Sequence, residues 1–239
     1  MKIAYYTEVN LSDNDGPAVN ELEFVKSLQT LNKEEYCIIL SEENKDIPLL
    51  NNSNVYFLEK TPSVSALGTW IRRFLNIKRF LKQQKVSLIV SRVTDIPIPF
   101  LLVQLFVKDV KTAIKTAALW WEGRSVVKGV KNHLYVLLSD FLVRKVYKNA
   151  DFIDVAMTET KDELIRRNLA NINNIKLIDN AINTDMFTLG SPQKLKQQLG
   201  IPQGAQILGF AGSCPSDRGV VQMLKVAEAI NAEINNLQR

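Results

Sequence analysis

The stretch Gly212-Ser213-Cys214-Pro215-Ser216-Asp217-Arg218-Gly219 lies between an apolar run, Gln206–Ala211, and a segment where Val221, Leu224, Ala227, Ile230 and Ile234 recur at helical spacing. Backbone N–H groups at a helix start, together with the helix dipole, attract phosphate. Gly212 allows close approach of a ligand and Arg218 supplies a fixed charge, so this loop has the chemistry of a phosphate holder. An ordinary surface turn with a solvated arginine is the plain alternative. Gly16 stands in a similar place, between strand-like and helix-like segments, and a simple turn is again the alternative. Neither glycine belongs to a GxGxxG or P-loop pattern. Trp120 and Trp121 can stack on a sugar ring or pack at a strand end. The single histidine, His133, excludes a histidine-rich metal site, and the two cysteines, Cys37 and Cys214, cannot form a zinc knuckle or a disulfide framework. Two unpaired thiols fit a reduced, cytoplasmic compartment. Asp13 and Asp15 read as turn formers.

The elements that must position these residues alternate. Lys2–Thr7, Glu35–Leu40, Val55–Leu58, Val86–Ser91, Ala113–Trp120, Phe152–Met157 and Ile175–Ile178 read as strands. Between them, helices are predicted from Pro17, over Val64–Lys85, Ile98–Val107 and Val126–Asn149, and after Thr160. Thr160 and Glu163 have the spacing of a capping box. In the long fourth helix, Val127, Val130, Leu134, Leu137 or Leu138, and Phe141 are expected to face the core. Alternating strands and helices imply right-handed crossovers and a doubly wound, mostly parallel α/β sheet of Rossmann-like type. Ligands then sit at the carboxyl ends of the strands, which singles out Glu8–Pro17, Arg92–Pro97, Trp120–Ser125 and Asp179–Phe187. The pattern changes after Phe187. It divides the chain into residues 1–187, a linker over 188–202, and residues 203–239 as the start of a second Rossmann-like unit.

The net charge of +5 conceals a strong asymmetry. Residues 1–59 balance to −7, residues 60–150 to +13 and residues 151–239 to −1, so the middle of the chain points to an anionic partner. Within it, Ser65–Lys85 combines Leu67, Trp70, Ile71, Phe74 and Leu81 with Arg72, Arg73, Lys78 and Arg79. Aromatic and basic residues on one helix suit an anionic membrane interface. A core-covering helix with snorkelled cations is the alternative. No run of eighteen apolar residues is present, so no membrane-spanning helix is predicted. The first residues lack the basic-then-apolar layout of a secretory signal. No nucleic-acid reader motif occurs.

Taken in order, the motifs resemble those of the family 4 GT-B glycosyltransferases (glycosyl transferases group 1). The opening strand, the Gly16 loop and the first helix are similar to that family's start. So are Ala150-Asp151 before a strand, Asn180-Ala181-Ile182-Asn183-Thr184-Asp185-Met186-Phe187, and Gly212 through Arg218-Gly219. The resemblance implies two Rossmann-like domains facing across a cleft. The first would hold a glycan or lipid-linked acceptor and the second a nucleotide-diphosphate sugar. Transfer would retain configuration and need no obligatory metal or cofactor. It further implies that Gly16, Gly212, Ser213, Arg218 and Gly219 approach the donor diphosphate. Ser213 stands where the family has arginine, and Arg218 stands at its lysine. Asn180 and Trp121 would contact sugar or acceptor, and Glu122 takes the place of a catalytic histidine. In this family a paired-glutamate donor motif lies downstream of the position of Arg239, so the chain alone is expected to be inactive. Peripheral membrane association and a role in cell-envelope polysaccharide or glycolipid synthesis follow as expectations. A non-catalytic membrane- or partner-binding module with a degenerate donor site is the alternative, favoured by Ser213 and Ala181.

Overall fold

The structure is a computed structural model of the 239-residue chain. It describes residues 1–13, 16–50, 54–59, 65–93, 96–116, 130–179, 190–202, 204–205, 207 and 220–237. The chain divides into two compact units, Met1–Ala181 and Ile182–Arg239.

The first unit alternates strand and helix in chain order. The elements are β1 (Ile3–Thr7), α1 (Gly16–Leu28), β2 (Tyr36–Ser41), β3 (Val55–Leu58), α2 (Ala66–Gln83), β4 (Leu88–Arg92), α3 (Ile98–Phe106), β5 (Lys111–Thr116), α4 (Val130–Asn149), β6 (Phe152–Val155), α5 (Thr158–Arg166) and β7 (Ile175–Leu177). The seven strands form one parallel sheet in the order β3-β2-β1-β4-β5-β6-β7. The central strands are covered on both faces, which is why β2 (YCIILS) is buried at every position and reads as a continuous apolar run. The edges are short: β7 has three residues and leaves two of them exposed.

Alternation along the strands sorts side chains between two cores. Tyr5, Tyr36, Ile38 and Leu40 pack with Val25 of α1 on one face. Ala4, Tyr6, Ile39, Ile89 and Ile114 pack with Ile77, Phe100, Val103, Val143 and Leu164 of α2 to α5 on the other. Right-handed crossovers require this division, because only the β1-to-β2 connection through a helix runs toward β3. Asp151 ties the amino ends of two strands. Its carboxylate accepts from Thr112 N at 2.7 Å, and its own N–H donates to Thr112 O at 3.0 Å.

Two expectations are corrected. In α4 the stripe Leu134, Leu137, Leu138 and Phe141 faces outward, with exposures of 64, 60, 48 and 57%. Ser139, Leu142, Val143, Val146 and Tyr147 face the core instead. The reason is length. Twenty helical residues span about 30 Å and the six of β5 about 20 Å, so α4 outreaches the sheet. The Tyr147 hydroxyl lies 3.0 Å from Thr116 Oγ1 at the carboxyl end of β5. The half of the helix before Ser139 therefore projects past that edge. The capping box at Thr160 is also absent. α5 starts two residues earlier, at Thr158, which puts Thr160 on the buried side of the first turn. Glu163 pairs forward with Arg166 and Arg167 instead of reaching back.

Three helices end in the same six-to-one, five-to-two hydrogen-bond pattern, with a left-handed residue after the cap. In α2 that residue is Lys85 (φ 52), in α5 it is Asn168 (φ 54), and in α6 (Pro192–Gln198) of the second unit it is Gly200 (φ 65). The second unit also contains α7 (Val220–Leu237). The strand expected at Gln206–Ala211 lies almost wholly outside the described residues.

Candidate functional site

The sheet order reverses at β1, whose neighbours β2 and β4 are reached by chain running in opposite directions. In open parallel sheets the ligand crevice lies at the carboxyl ends beside such a switch point. Glu8 follows β1 directly, Arg92 ends β4, and Lys115 is the penultimate residue of β5.

On the α1 side these residues form a buried ionic cluster. The Glu21 carboxylate, fully shielded from solvent, accepts from Arg92 Nη1 at 3.1 Å and Lys115 Nζ at 2.8 Å. It also accepts the Tyr5 hydroxyl. Arg92 donates further to Pro17 O at 3.4 Å, and Lys115 to Asn20 Oδ1 at 2.8 Å. The Lys115 ammonium sits 4.3 Å from the centroid of Phe24. Asp154, paired in register with Lys115 on β6, completes the row; burial raises its carboxyl pKa, against the pull of Lys115. The cluster anchors the first two turns of α1, and hence Gly16, to the carboxyl edge. Gly16 is exposed, and a Cβ there would meet no heavy atom within 4 Å, so the space would admit a side chain.

On the other face Glu8 accepts from the Tyr6 hydroxyl and from Arg73 Nη1 at 3.0 Å. Its side chain is 20% exposed, so it can still accept a ligand hydroxyl from the crevice. Arg73 is drawn inward by this bond and leaves the solvent face on which it was expected. Arg72, Lys78 and Arg79 remain exposed, and Trp70 is half-buried. Burial, then the adjacent carboxylate charge, pushes both phenols well above the ordinary tyrosine range: Tyr5 beside Glu21, Tyr6 beside Glu8. The loop after β1 is fixed by Asn44. This fully buried amide accepts from Leu11 N at 2.7 Å and donates to Val9 O and Ser41 Oγ, both at 3.1 Å.

Trp121, Glu122, Asn180, Gly212, Ser213, Arg218 and Gly219 lie outside the described residues. α7 is described from Val220 onward. Sequence reading missed Glu21 and Lys115. The signal for Glu21 was its place in the series Ala18, Glu21, Val25, the three buried positions of α1.

No protein-family model matches the chain, and no curated protein does. Solved structures do. A sucrose-phosphate synthase from Thermosynechococcus elongatus superposes with a TM-score of 0.60 at 12% identity, covering 84% of this chain and 53% of that one. A glycosyltransferase from Rickettsia africae ESF-5 gives 0.53 at 15% identity, over 85% and 51%. A UDP-GlcNAc 2-epimerase from Neisseria meningitidis, bound to UDP-GlcNAc, gives 0.54 at 12%, over 75% and 47%. The chain thus spans about half the length of the solved structures it matches. The likeness shows the fold, a Rossmann-like α/β unit of the GT-B type.

Proposed function

We propose that the chain serves nucleotide-sugar-dependent glycosyl transfer, with Met1–Ala181 forming the acceptor side. The observation that carries this reading is the Glu8, Glu21, Arg92 and Lys115 cluster at the switch-point edge, set in a fold shared with sugar transferases. In this reading Gly16 and the loop Gly212, Ser213, Arg218 and Gly219 meet the donor diphosphate. Arg218 and the start of α7 stabilise the charge that develops on the leaving group. Glu122 acts beside the reacting sugar, while Trp121, Asn180 and Glu8 contact sugar or acceptor. The family 4 assignment, a retaining outcome and a reaction without metal or cofactor belong to the same proposal.

A peripheral position on the cytoplasmic face of an anionic membrane is part of it. α2, α3 and α4 pack side by side and carry nine Lys or Arg residues against one carboxylate, Asp140. Their outer surface also exposes Leu67, Ile71, Leu75, Phe106, Leu138 and Phe141. Exposed apolar residues among cations suit a bilayer interface. A lipid-linked or envelope-glycan acceptor fits that position. Among the described residues no helix is long and apolar enough to cross a membrane.

Calorimetry with UDP and GDP tests the donor half: one nucleotide should bind, and Arg218→Ala should weaken it at least tenfold. Failure of the chain to bind either nucleotide, or binding indifferent to Arg218, overturns the reading.

A further inference from the structure

A half-open cavity of about 530 Å³ lies at the amino edge of the sheet, on the side away from the switch-point crevice. It is framed by the C-terminal ends of α2 and α3 and by the turns leading into β4 and β5. Lys78, Lys82, Lys85 and Lys108 stand around it, with Asp109 as the one carboxylate among the described residues of the lining. Among the described residues, none of Lys82, Lys85 and Lys108 has an ion-pair partner. Lysines near helix C-termini also complement the helix dipoles, so the balance of charge decides. Two helix ends contribute about −0.5 each. Together with Asp109 they leave the four ammonium groups with roughly two units of uncompensated positive charge.

The floor is apolar. Leu81, Val86 and Val110 are buried beneath it, while Phe106 is 59% exposed at its rim. Lys85 adds a second observation. It occupies the left-handed position after α2 (φ 52), where glycine carries no steric penalty and lysine does. The corresponding positions after α5 and α6 are asparagine and glycine. A long cationic side chain is thus held over the cavity at a conformational cost.

We propose that this cavity binds a phosphate ester carried on an apolar tail, the head region of an anionic membrane lipid. The lysines take the phosphate, and the tail lies against Phe106 and the apolar floor. A free phosphate would use the lysines and leave the floor idle, which is why the lipid is the assigned source. The site deepens the membrane reading above and rests on it for the origin of its ligand.

Titration of the full chain with dihexanoyl phosphatidylglycerol, below its micelle concentration, tests the site without a bilayer. Binding should saturate at one equivalent and weaken at least tenfold in Lys85→Gly combined with Lys108→Gln. Lys85→Gly suits the left-handed cap, so its thermal midpoint should equal or exceed that of the parent, which rules out loss of fold as the cause. Glycerol phosphate, with no tail, should bind at least tenfold more weakly than the lipid. Equal lipid affinity in the double variant, or equal affinity for glycerol phosphate, overturns the proposal. Sedimentation with phosphatidylglycerol vesicles reads the membrane claim separately. Soluble lipid bound in a Lys85-dependent way while vesicles are ignored would uphold the site and overturn the membrane position.

Discussion

Glu21 is a carboxylate without solvent, held by a tyrosine hydroxyl, a guanidinium and an ammonium. Removing its charge leaves two cations of 16 and 13% exposure facing one another across an uncharged amide. Breaking a buried pair from one side costs several kcal/mol because the remaining charge stays desolvated. Glu21→Gln should therefore cost about 2–4 kcal/mol in urea unfolding, the residual access of Arg92 and Lys115 to water keeping it toward the lower figure. A loss under about 0.5 kcal/mol would mean that the cations find water or another anion. On the surface, Glu163 shows the opposite situation. Hydrogen bonds from Arg166 and Arg167 hold its pKa near 2. A folded pKa below the unfolded one favours the native state above the ordinary glutamate range, and that contribution fades as pH falls from about 4 toward 2. A side-chain NMR titration should place its midpoint well below those of the other glutamates, and Arg166→Ala with Arg167→Ala should return it upward.

At the level of the element, α4 gives the sharpest test. Leu138→Asn should change stability by less than about 0.5 kcal/mol, because the residue is half exposed. Val143→Ala, five residues on and fully buried, should cost about 1–3 kcal/mol through lost burial and a residual cavity. The reverse ranking in thermal or chemical unfolding would restore the inward stripe that periodicity suggests. This helix also marks where sequence reading stops. All seven strands and the α1 to α5 order are legible, because short strand-like runs of three to six residues bounded by turn chemistry have few other solutions. Which of two apolar stripes on α4 turns inward is not legible. Leu134, Leu137, Leu138 and Phe141 form a better stripe than Ser139, Leu142, Val143 and Val146, and nothing within the helix's own sequence shows which of the two meets the neighbouring elements. The site was legible in place and not in composition. The carboxyl-end loops after β1 and β4 were identified, whereas Glu21 and Lys115 are charged residues inside regular elements, where period-based reading expects none facing the core.

Across the whole molecule, four weak acids are kept neutral by the two cores. Burial raises the Cys37 thiol to about 11 and the Tyr147 phenol to about 12. Tyr5 and Tyr6 are likewise raised well above the ordinary tyrosine range, by burial first and then by their carboxylate neighbours. In each case the folded pKa exceeds the unfolded one, so the folded state holds the proton more tightly. Their contribution is fully present below the ordinary thiol and phenol values and is lost as pH rises through the folded ones. Denaturation midpoints should stay level up to about pH 9 and fall steadily toward pH 11. Thiol labelling of Cys37 should be slow at pH 8 unless denaturant is present. Stability that stays level to pH 11 would show that these groups reach water.

The Asn44 amide spends its hydrogen-bonding capacity on Leu11, Val9 and Ser41, joining the chain after β1 to the chain after β2. Those two rim segments therefore behave as one stiff bracket. Neither can swing aside to admit a substrate without exposing a carboxamide that no solvent reaches. Any gate over the crevice must hang from another part of the rim, and the bracket is the fixed jamb against which it shuts.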